Sequence, residues 1–355
     1  MDAMGTDQAP RVEVAGALAA LDRGDLEIVL VGDEKRVEHA VRTAAGGRVP
    51  DRLLIRHAPE SITMHDAPAA AVRQKKQSSM RICFDLVKAG EVGALVSAGN
   101  SGAMMACGLF VLGRCAGLER PAIVTTFPTL KGQCALLDMG ANVDPRPQAL
   151  AQFAVLGSVY ARLSHRKARP RVGLLSNGAE EHKGTTLTRG AHQLIGRSQQ
   201  AGAGTTEFEY LGYVEGRDIF RGDVDVVVTD GFTGNVLLKG LEGLAEAMFH
   251  MVAAEVRSGG PLERLGALLM RPALRRFKRK TDYAETGGAP LLGVDGVAII
   301  CHGGSDARAI KNAIFTAAGF AESGLIAELR GALLQHAFLW NDPPASDPAM
   351  GRLPA

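Results

Sequence analysis

Residues 94–102, with the sequence ALVSAGNSG, decide how this chain folds. The run at 94–96 is apolar and is typical of a short buried strand, and a helical pattern begins at residue 101. Glycine in the loop between them lets the main chain turn tightly, and the first amides of the next helix have no partners within the helix. The stretch therefore predicts a strand, a loop and a helix, with an anion-binding loop as one possible use.

The same unit recurs along the chain. We predict strands at 26–31, 53–56, 94–96, 122–126, 135–137, 172–175, 208–213, 224–228 and 297–300. We predict helices at 34–45, 68–88, 101–112, 148–163 and 187–198, from 234 to about 280, and at 306–320. Strands that alternate with helices of this length indicate an α/β fold, a three-layer α/β/α arrangement around a mostly parallel sheet. In such a sheet, ligands bind beyond the carboxyl ends of the strands.

Composition indicates a folded, cytoplasmic enzyme. The chain has 355 residues, of which 46% are hydrophobic and 22% charged, with a net charge of +2, which argues against a dedicated nucleic-acid binder. Five cysteines without a C-x-x-C pair favour reduced thiols, and there is neither a signal peptide nor an apolar run long enough to span a membrane. We expect one catalytic domain over 1–339, a helical protrusion around 240–285 and a disordered tail at 340–355.

Two strand-to-helix loops, at 97–102 and 230–235, are candidates for holding phosphate. Their hydroxyl, amide and glycine residues suit an anion at a helix N-terminus. The candidate phosphate ligands are Ser97, Asn100, Ser101, Gly102, Thr233, Gly234 and Asn235. Lys239 would lend charge, although it also fits a solvated surface lysine. The plainer interpretation of the first loop is a tight turn with Ser101 as the helix N-cap.

A third loop, CHGGSD at 301–306, and a fourth, DMGANVD at 138–144, supply candidates for stabilising an oxyanion. His302 and Asn142 are the proposed donors. Asp306 is equally explained as an N-cap. Cys301 and His302 are adjacent on a strand end and point to opposite faces, so they cannot form a dyad. No nucleophile elbow, Walker A loop or H-E-x-x-H sequence is present. Phosphate is itself a nucleophile, so an enzyme that uses it as a substrate needs mainly to position it and to stabilise the oxyanion.

These loops, in this order, resemble the PlsX-type phosphate acyltransferases. The matching segments are DAMG at 2–5 with AP at 9–10, VSAGNSGA at 96–103, DMGANVD at 138–144, EGRD at 215–218, DGFTGNVLLK at 230–239, GGAPLLG at 287–293 and CHGGSD at 301–306. Each motif alone is weak, but seven in register from residue 2 to about 325 are highly specific. Thr6 stands where the family has glycine, Ser101 where it has threonine and Gly304 where it has serine, and the asparagine near 177 is shifted.

The resemblance implies a homodimeric enzyme with a fold like that of isopropylmalate dehydrogenases and phosphotransacetylases. It implies transfer of a fatty acyl group from acyl carrier protein to inorganic phosphate, which forms acyl phosphate for phospholipid synthesis without a cofactor. It also implies peripheral membrane contact, with a membrane glycerol-3-phosphate acyltransferase as a further partner. One alternative is a phosphotransacetylase-like enzyme that uses acyl-coenzyme A. Another is a metal- and NAD-dependent decarboxylating dehydrogenase, and the least favoured is a non-catalytic scaffold.

A basic run lies near the end of the long helical segment. Its members are Arg271, Arg275, Arg276, Lys278, Arg279 and Lys280, and they follow leucines at helical spacing at 262–269. This surface suits an anionic membrane or an acidic carrier protein. A helical hairpin that buries its leucines in a homodimer explains the same pattern.

The first residues, 1–5, are typical of a loop that follows a strand, yet no strand precedes them. We expect the genomic frame upstream of Met1 to encode roughly four to six apolar residues, close to a typical strand length.

Overall fold

The computed structural model describes residues 1–180, 182–200, 206–281 and 287–341. The strands are β1 (Ile28–Gly32), β2 (Leu53–His57), β3 (Ala94–Ser97), β4 (Ala122–Ile123), β5 (Thr125–Thr129), β6 (Gly132–Leu137), β7 (Arg171–Leu175), β8 (Glu209–Val214), β9 (Val226–Val228), β10 (Ala289–Leu292) and β11 (Val297–Ile300).

The helices follow the same alternation. They are α1 (Arg11–Ala20), α2 (Glu34–Ala44), α3 (Pro68–Gln74), α4 (Ser79–Lys88), α5 (Ser101–Cys107), α6 (Pro147–His165), α7 (Thr186–Gln200), α8 (Asp218–Arg221), α9 (Gly231–Ser258), α10 (Pro261–Thr281), α11 (Ala307–Glu322) and α12 (Leu325–Gln335). A π-helical turn over Gly108–Leu112 extends α5. The predicted tail lies, from residue 342 onward, outside the described residues.

The strands form three hydrogen-bonded groups in the orders β1-β2, β3-β11-β10-β4 and β5-β6-β9-β7-β8. One residue separates β4 from β5, so this segment pairs with β10 at its start and with β6 further on. The pairs β10–β11, β4–β10 and β5–β6 are antiparallel, and the other pairs are parallel. The prediction of a mostly parallel sheet is confirmed.

The first residues of the chain lie between β1 and β3. The Asp2 amide donates to the Val96 carbonyl oxygen at 2.9 Å, and the Ala3 amide donates to that of Val31 at 2.9 Å. The Met1 ammonium group donates to the Val29 carbonyl oxygen at 2.7 Å. Residues 1–3 thus connect the β1-β2 pair to the next group of strands.

Two buried clusters lie on opposite faces of the strands. Successive strand residues point to opposite sides, and Leu95 and Leu136 belong to one cluster while Val96 and Leu137 belong to the other. Side chains of α4 and α5 fill the first cluster, and those of α1, α2, α6, α7, α11 and α12 fill the second. The predicted α/β/α layering is therefore confirmed.

The predicted single helix at 68–88 is wrong, because the chain breaks between α3 and α4. The Gln77 amide donates to Glu60 Oε2 at 3.0 Å, and the Ser79 amide donates to the Glu60 carbonyl oxygen at 3.0 Å. Ser78 then caps α4 by accepting from the Arg81 amide. A contact 17 residues away therefore overrides the local helical pattern. The helices α1, α8 and α12 and the strand β10 were not predicted from the sequence either.

The predicted helical segment from 234 to about 280 is a hairpin. Helix α9 begins at Gly231, three residues earlier than predicted, and Gly259 and Gly260 separate it from α10. The rings of Phe249 and Phe277 approach to 6.1 Å between centroids, which joins the two helices. In the part of the chain that the structure describes, no helix is long and apolar enough to cross a membrane.

Gly16 on α1 packs closely against α11. A Cβ at this position would lie 2.5 Å from Ile310 Cγ2 and 2.9 Å from the Ala307 carbonyl oxygen. Overpacking typically costs about 1–3 kcal/mol, so Gly16→Ala should lower the free energy of unfolding in urea by that amount. Gly319→Ala on α11 is the control, because a Cβ there meets no atom within 4 Å. Equal losses in the two variants would contradict this packing.

Candidate active site

The loops 97–102 and 301–306 lie side by side, because β3 and β11 are parallel neighbours. The Cys301 amide donates to the Ser97 carbonyl oxygen at 2.8 Å. Ser97 is fully buried; its hydroxyl donates to Asp2 Oδ2 at 2.7 Å and accepts from the Gly99 amide at 3.1 Å. We call these two loops, together with the segment 2–7, the first loop cluster. Within it, the Ser97 hydroxyl is engaged by protein groups.

Asn100 is the N-cap of α5, where Ser101 was the predicted alternative. Its Oδ1 accepts from the Ala103 amide at 3.1 Å, and its Nδ2 donates to the Asp66 carbonyl oxygen at 3.2 Å. Ser101 and Gly102 are exposed in the first turn of α5. The side chain that was expected to bind phosphate therefore holds loops together, while the two residues after it face solvent.

The segment 63–66, which the sequence analysis did not single out, packs against Asn100. Lys75 Nζ lies 2.6 Å from Asp66 Oδ2, and this hydrogen bond lowers the pKa of the Asp66 carboxyl to about 2. A sequence signal for this segment was available in Pro68, two residues after Asp66, because proline is favoured in the first turn of a helix.

His302 is exposed, whereas Cys301 beside it is buried, as the strand alternation predicted. Burial raises the pKa of the Cys301 thiol to about 12, so this group is no thiolate nucleophile near neutral pH. His302 Nδ1 accepts from the Gly304 amide at 3.0 Å, which places the proton of a neutral ring on Nε2 as a donor. Asp306 caps α11 by accepting from the Ala309 amide at 2.8 Å. All five cysteines are unpaired and buried.

The second loop cluster consists of 138–144 and 229–235, which follow the neighbouring parallel strands β6 and β9. Asp138 is fully buried at its centre. Its Oδ1 accepts from the amides of Ile123 at 3.0 Å and Ala141 at 3.1 Å, and its Oδ2 accepts from the Asn142 amide at 2.6 Å and Asn142 Nδ2 at 2.9 Å. Burial raises the pKa of this carboxyl, and the N–H donors oppose that effect.

Asn142, a predicted oxyanion donor, is engaged within this cluster. Its Nδ2 also donates to the Pro121 carbonyl oxygen at 2.7 Å. Its own carbonyl oxygen accepts from the Gly231 amide at 2.7 Å. A Cβ on Gly234 would lie 2.0 Å from the Asp138 carbonyl oxygen, so only glycine fits there. Asn142 and Gly234 thus tie the two loops together.

The first turn of α9 carries the remaining candidates. Asp230 caps the helix, accepting from the Thr233 amide and hydroxyl, each at 2.8 Å. Asn235 is exposed, and its side chain lies 3.5 Å from the position that a Cβ on Gly140 would take. Lys239 is also exposed and forms an ion pair with Glu242 at 2.8 Å.

The candidates therefore divide between the two clusters. Ser97, Asn100, Ser101, Gly102 and His302 belong to the first, and Asn142, Thr233, Gly234, Asn235 and Lys239 belong to the second. Strands β10 and β4 lie between β11 and β6. The two clusters therefore follow strands that are not hydrogen-bonded neighbours.

A metal-dependent dehydrogenase, one of the alternatives, would need a converging group of aspartates, but those of the candidate loops have other partners or lie apart. Asp138 accepts main-chain donors, Asp230 and Asp306 cap helices, and Asp144 is exposed. Among the described ranges, no three His, Cys, Asp or Glu side chains are grouped closely enough to hold a metal ion.

Replacing Asp138 tests how firmly the second cluster is held. In Asp138→Asn an amide group would face N–H donors, and leaving buried groups unsatisfied costs about 1–3 kcal/mol each. We expect the free energy of unfolding to fall by at least that amount in urea denaturation. Asp144→Asn, in the same loop but exposed, should change it by no more than about 0.5 kcal/mol. Matching stabilities for the two variants would refute the role of Asp138.

Comparison with known proteins identifies the family. The family described as fatty acid synthesis protein matches residues 1–328. Phosphate acyltransferase from Syntrophotalea carbinolica is 55% identical over 317 residues, which cover 89% of this chain and 88% of the relative. Phosphate acyltransferase from Geobacter sulfurreducens is 52% identical over 327 residues, covering 92% and 91%.

Solved structures show the same fold at low identity. A phosphotransacetylase from Streptococcus pyogenes has a TM-score of 0.58 and 18% identity, covering 88% of this chain and 91% of its own. A branched-chain phosphotransacylase from Enterococcus faecalis has a TM-score of 0.52 and 12% identity, covering 90% and 97%. From the match over most of its length, the chain belongs to the fatty acid synthesis protein family, that of the PlsX-type phosphate acyltransferases.

Proposed function

We propose that this protein transfers a fatty acyl group from acyl carrier protein to inorganic phosphate, forming acyl phosphate. The observation that carries the proposal is the 50–55% identity, over most of the chain, to relatives named phosphate acyltransferase. Loops at parallel strand ends, each opening a helix, support it, because main-chain amides at helix N-termini bind anions.

The chemistry requires no covalent enzyme intermediate. A phosphate oxygen attacks the thioester carbonyl carbon, and the carbonyl oxygen becomes an oxyanion. Collapse of this intermediate breaks the C–S bond, releasing acyl phosphate and the carrier thiolate, which is then protonated. The protein must position phosphate and stabilise the oxyanion. The buried Cys301 thiol, with its pKa near 12, fits this direct route.

Exposure separates direct ligands from residues that hold the loops. Ser101, Gly102 and Asn235 are exposed in the first turns of α5 and α9, and we assign them to phosphate, with Lys239 lending charge. Thr233 is also exposed, but its amide and hydroxyl both donate to Asp230, so it would bind phosphate only by exchanging one of these hydrogen bonds. His302 Nε2 is our candidate donor to the oxyanion. The more buried candidates, Ser97, Asn100, Gly234 and Asn142, act by fixing the loops, since protein groups occupy their polar atoms or the space beside them.

The reaction is tested with purified protein, long-chain acyl carrier protein and phosphate. We expect release of carrier thiol and formation of acyl phosphate, trapped as hydroxamate, without ATP or nicotinamide. His302→Ala and Asn235→Ala should each lower turnover by about 10²–10³, the loss seen when one oxyanion-type donor is removed. Ser323→Ala, at the far end of α11 from the loop, is the control and should keep wild-type turnover.

Three outcomes would contradict separate parts of this proposal. A rate that does not depend on phosphate would refute the reaction itself. Comparable rates with acyl-coenzyme A would refute the carrier-protein donor and favour a phosphotransacetylase-like enzyme. Normal turnover in both variants, with the fold intact, would refute the assignment of His302 and Asn235.

We also propose that the α9–α10 hairpin contacts partners. Most of both helices is exposed, including a set of apolar side chains: Leu244, Met248, Met251, Val252, Leu262, Leu265, Leu268, Leu269 and Met270. Soluble proteins rarely leave so large an apolar surface in water, which supports a homodimer packed through the hairpin.

The basic side of α10 suits an anionic partner. Arg271, Arg275 and Arg276 are exposed on it, whereas the side chains of Lys278 and Arg279 lie outside those that the structure describes. Each basic residue of this kind contributes about 1 kcal/mol to the free energy of binding to an anionic membrane surface. They would equally steer an acidic carrier protein in a salt-dependent manner.

Charge reversal distinguishes these uses. In Arg271→Glu/Arg275→Glu/Arg276→Glu we expect a higher Michaelis constant for the carrier protein, with weaker dependence on salt. Loss of binding to anionic liposomes alone would assign the run to a membrane, and a change in dimer mass alone would assign it to subunit packing. If none of these changes, the run is a solvated face.

A further inference from the structure

Glu13 is a fully buried acid in the first turn of α1. Its Oε1 accepts a hydrogen bond from the Thr6 amide at 2.6 Å. A fully buried glutamate is rare unless it has a partner, and neither the sequence motifs nor the proposed reaction assigns this one a task.

The start of α1 explains why the carboxyl reaches Thr6. Glu13 is the third helical residue, from which a glutamate ordinarily bonds back to the amide of the N-cap residue. The N-cap here is Pro10, which has no N–H to donate. The carboxyl extends instead to Thr6, four residues before the cap, and so connects α1 to the segment 5–7.

That segment lies between the two loops of the first loop cluster. A Cβ on Gly5 would lie 2.7 Å from the Gly99 nitrogen, so its main chain rests directly on the loop 97–102. The Asp7 amide donates to the Gly303 carbonyl oxygen at 3.1 Å, which joins the segment to the loop 301–306. Thr6 is the residue between these two contacts, and its amide donates the hydrogen bond to Glu13.

The site around this hydrogen bond contains few other polar partners. Thr6 is 7% exposed. Within the part of the chain that the structure describes, neither Glu13 Oε2 nor Thr6 Oγ1 has a hydrogen-bond partner. Burial raises the pKa of the Glu13 carboxyl, and the bond from the Thr6 amide opposes that effect. A buried acid with few hydrogen-bond donors is costly to keep, which indicates a positioning task rather than a contribution to core stability.

We infer that Glu13 is a positioning residue that fixes the segment 5–7 through the Thr6 amide and thereby sets the loops 97–102 and 301–306 at the spacing that phosphate requires. This inference rests on the proposed function, because it takes phosphate as the ligand of the first loop cluster. Glu13 itself is buried beneath these loops and does not touch the ligand. Its loss should therefore weaken phosphate binding without a comparable effect on the acyl donor.

The test compares three variants of the full-length protein. Glu13→Met removes the acceptor while filling nearly the same volume. Glu13→Gln keeps a carbonyl oxygen for the Thr6 amide and places an N–H₂ group near the Thr6 hydroxyl. Val14→Ala is the matched control, because Val14 is buried beside Glu13 on α1 and its truncation loosens the core without touching Thr6.

The measurements are calorimetric binding of inorganic phosphate and steady-state kinetics in both substrates. Glu13→Met should weaken phosphate binding and raise the phosphate KM by about tenfold, the effect of one lost buried hydrogen bond. The KM for the acyl donor, measured at saturating phosphate, should stay within about twofold of wild type. The reason is that the substitution displaces only the main chain around Thr6. Glu13→Gln should restore most of the phosphate affinity.

The outcomes separate this inference from the proposed function. If Glu13→Met binds phosphate like wild type, or if Val14→Ala weakens phosphate binding as much, the positioning role is wrong. If wild type binds phosphate and Glu13→Met does not, yet no acyl transfer is observed, the reaction is wrong and the positioning role stands. If Glu13→Met does not fold, Glu13→Val replaces it, because the shorter apolar side chain removes the acceptor without overfilling the site.

Discussion

Buried carboxyl groups that accept N–H and O–H bonds hold both loop clusters together. Asp138 accepts from three main-chain amides and one side-chain amide, Asp2 from the Met4 amide and the Ser97 hydroxyl, and Glu13 from the Thr6 amide. A loop beyond a strand end cannot satisfy its amides within the sheet, and a buried unsatisfied amide is costly. Carboxylates are the strongest acceptors that side chains offer for this purpose. The exposed first turns of the neighbouring helices are thereby left available to a ligand.

This arrangement places negative charge beneath loops that we assign to an anion. The four donors around Asp138 offset its charge locally, and the N-terminal ends of α5, α9 and α11 add partial positive charge at the surface. Glu13 has one donor, and burial raises its pKa. Burial raises the pKa of the Asp138 carboxyl as well, so at both places N–H donors offset part of the cost of burying an acid.

The sequence predicted the positions of the helices and strands better than it predicted which strands lie next to one another. Alternating apolar and polar segments predicted the strands, and strand ends predicted which loops carry polar residues. Strand order is set by long-range pairing, so the sequence did not reveal that β10 and β4 separate the loop of His302 from that of Asn142. Strand β10 is four residues long and contains Pro290, which is atypical of a strand. The break between α3 and α4 depends on Glu60, a contact that no local pattern contains.

Burial decided what a motif residue can do, and no motif carries that information. Ser97 and Ser101 look alike in the sequence, four residues apart in one loop, yet Ser97 is fully buried against Asp2 and Ser101 faces solvent. The difference arises because residues 1–3 lie beside β3 and bring Asp2 to the end of that strand. A hydroxyl in a candidate phosphate-binding motif can thus hold the loop in place through hydrogen bonds to protein groups.

Helix α9 connects the candidate site to the surface proposed for partners. Its first turn carries Thr233 and Asn235 in the second loop cluster, and its 28 residues extend for about 42 Å at 1.5 Å per residue. Only Gly231 and Gly234 are buried along it. Both of these lie in the turn that packs on Asp138 and Asn142, and Leu237 and Leu238 in the second turn are partly buried against the core, so the helix is fixed by its first two turns. Whatever packs against the distal part of α9 therefore acts on an element whose other end is held by the same buried carboxylate that orders the candidate site.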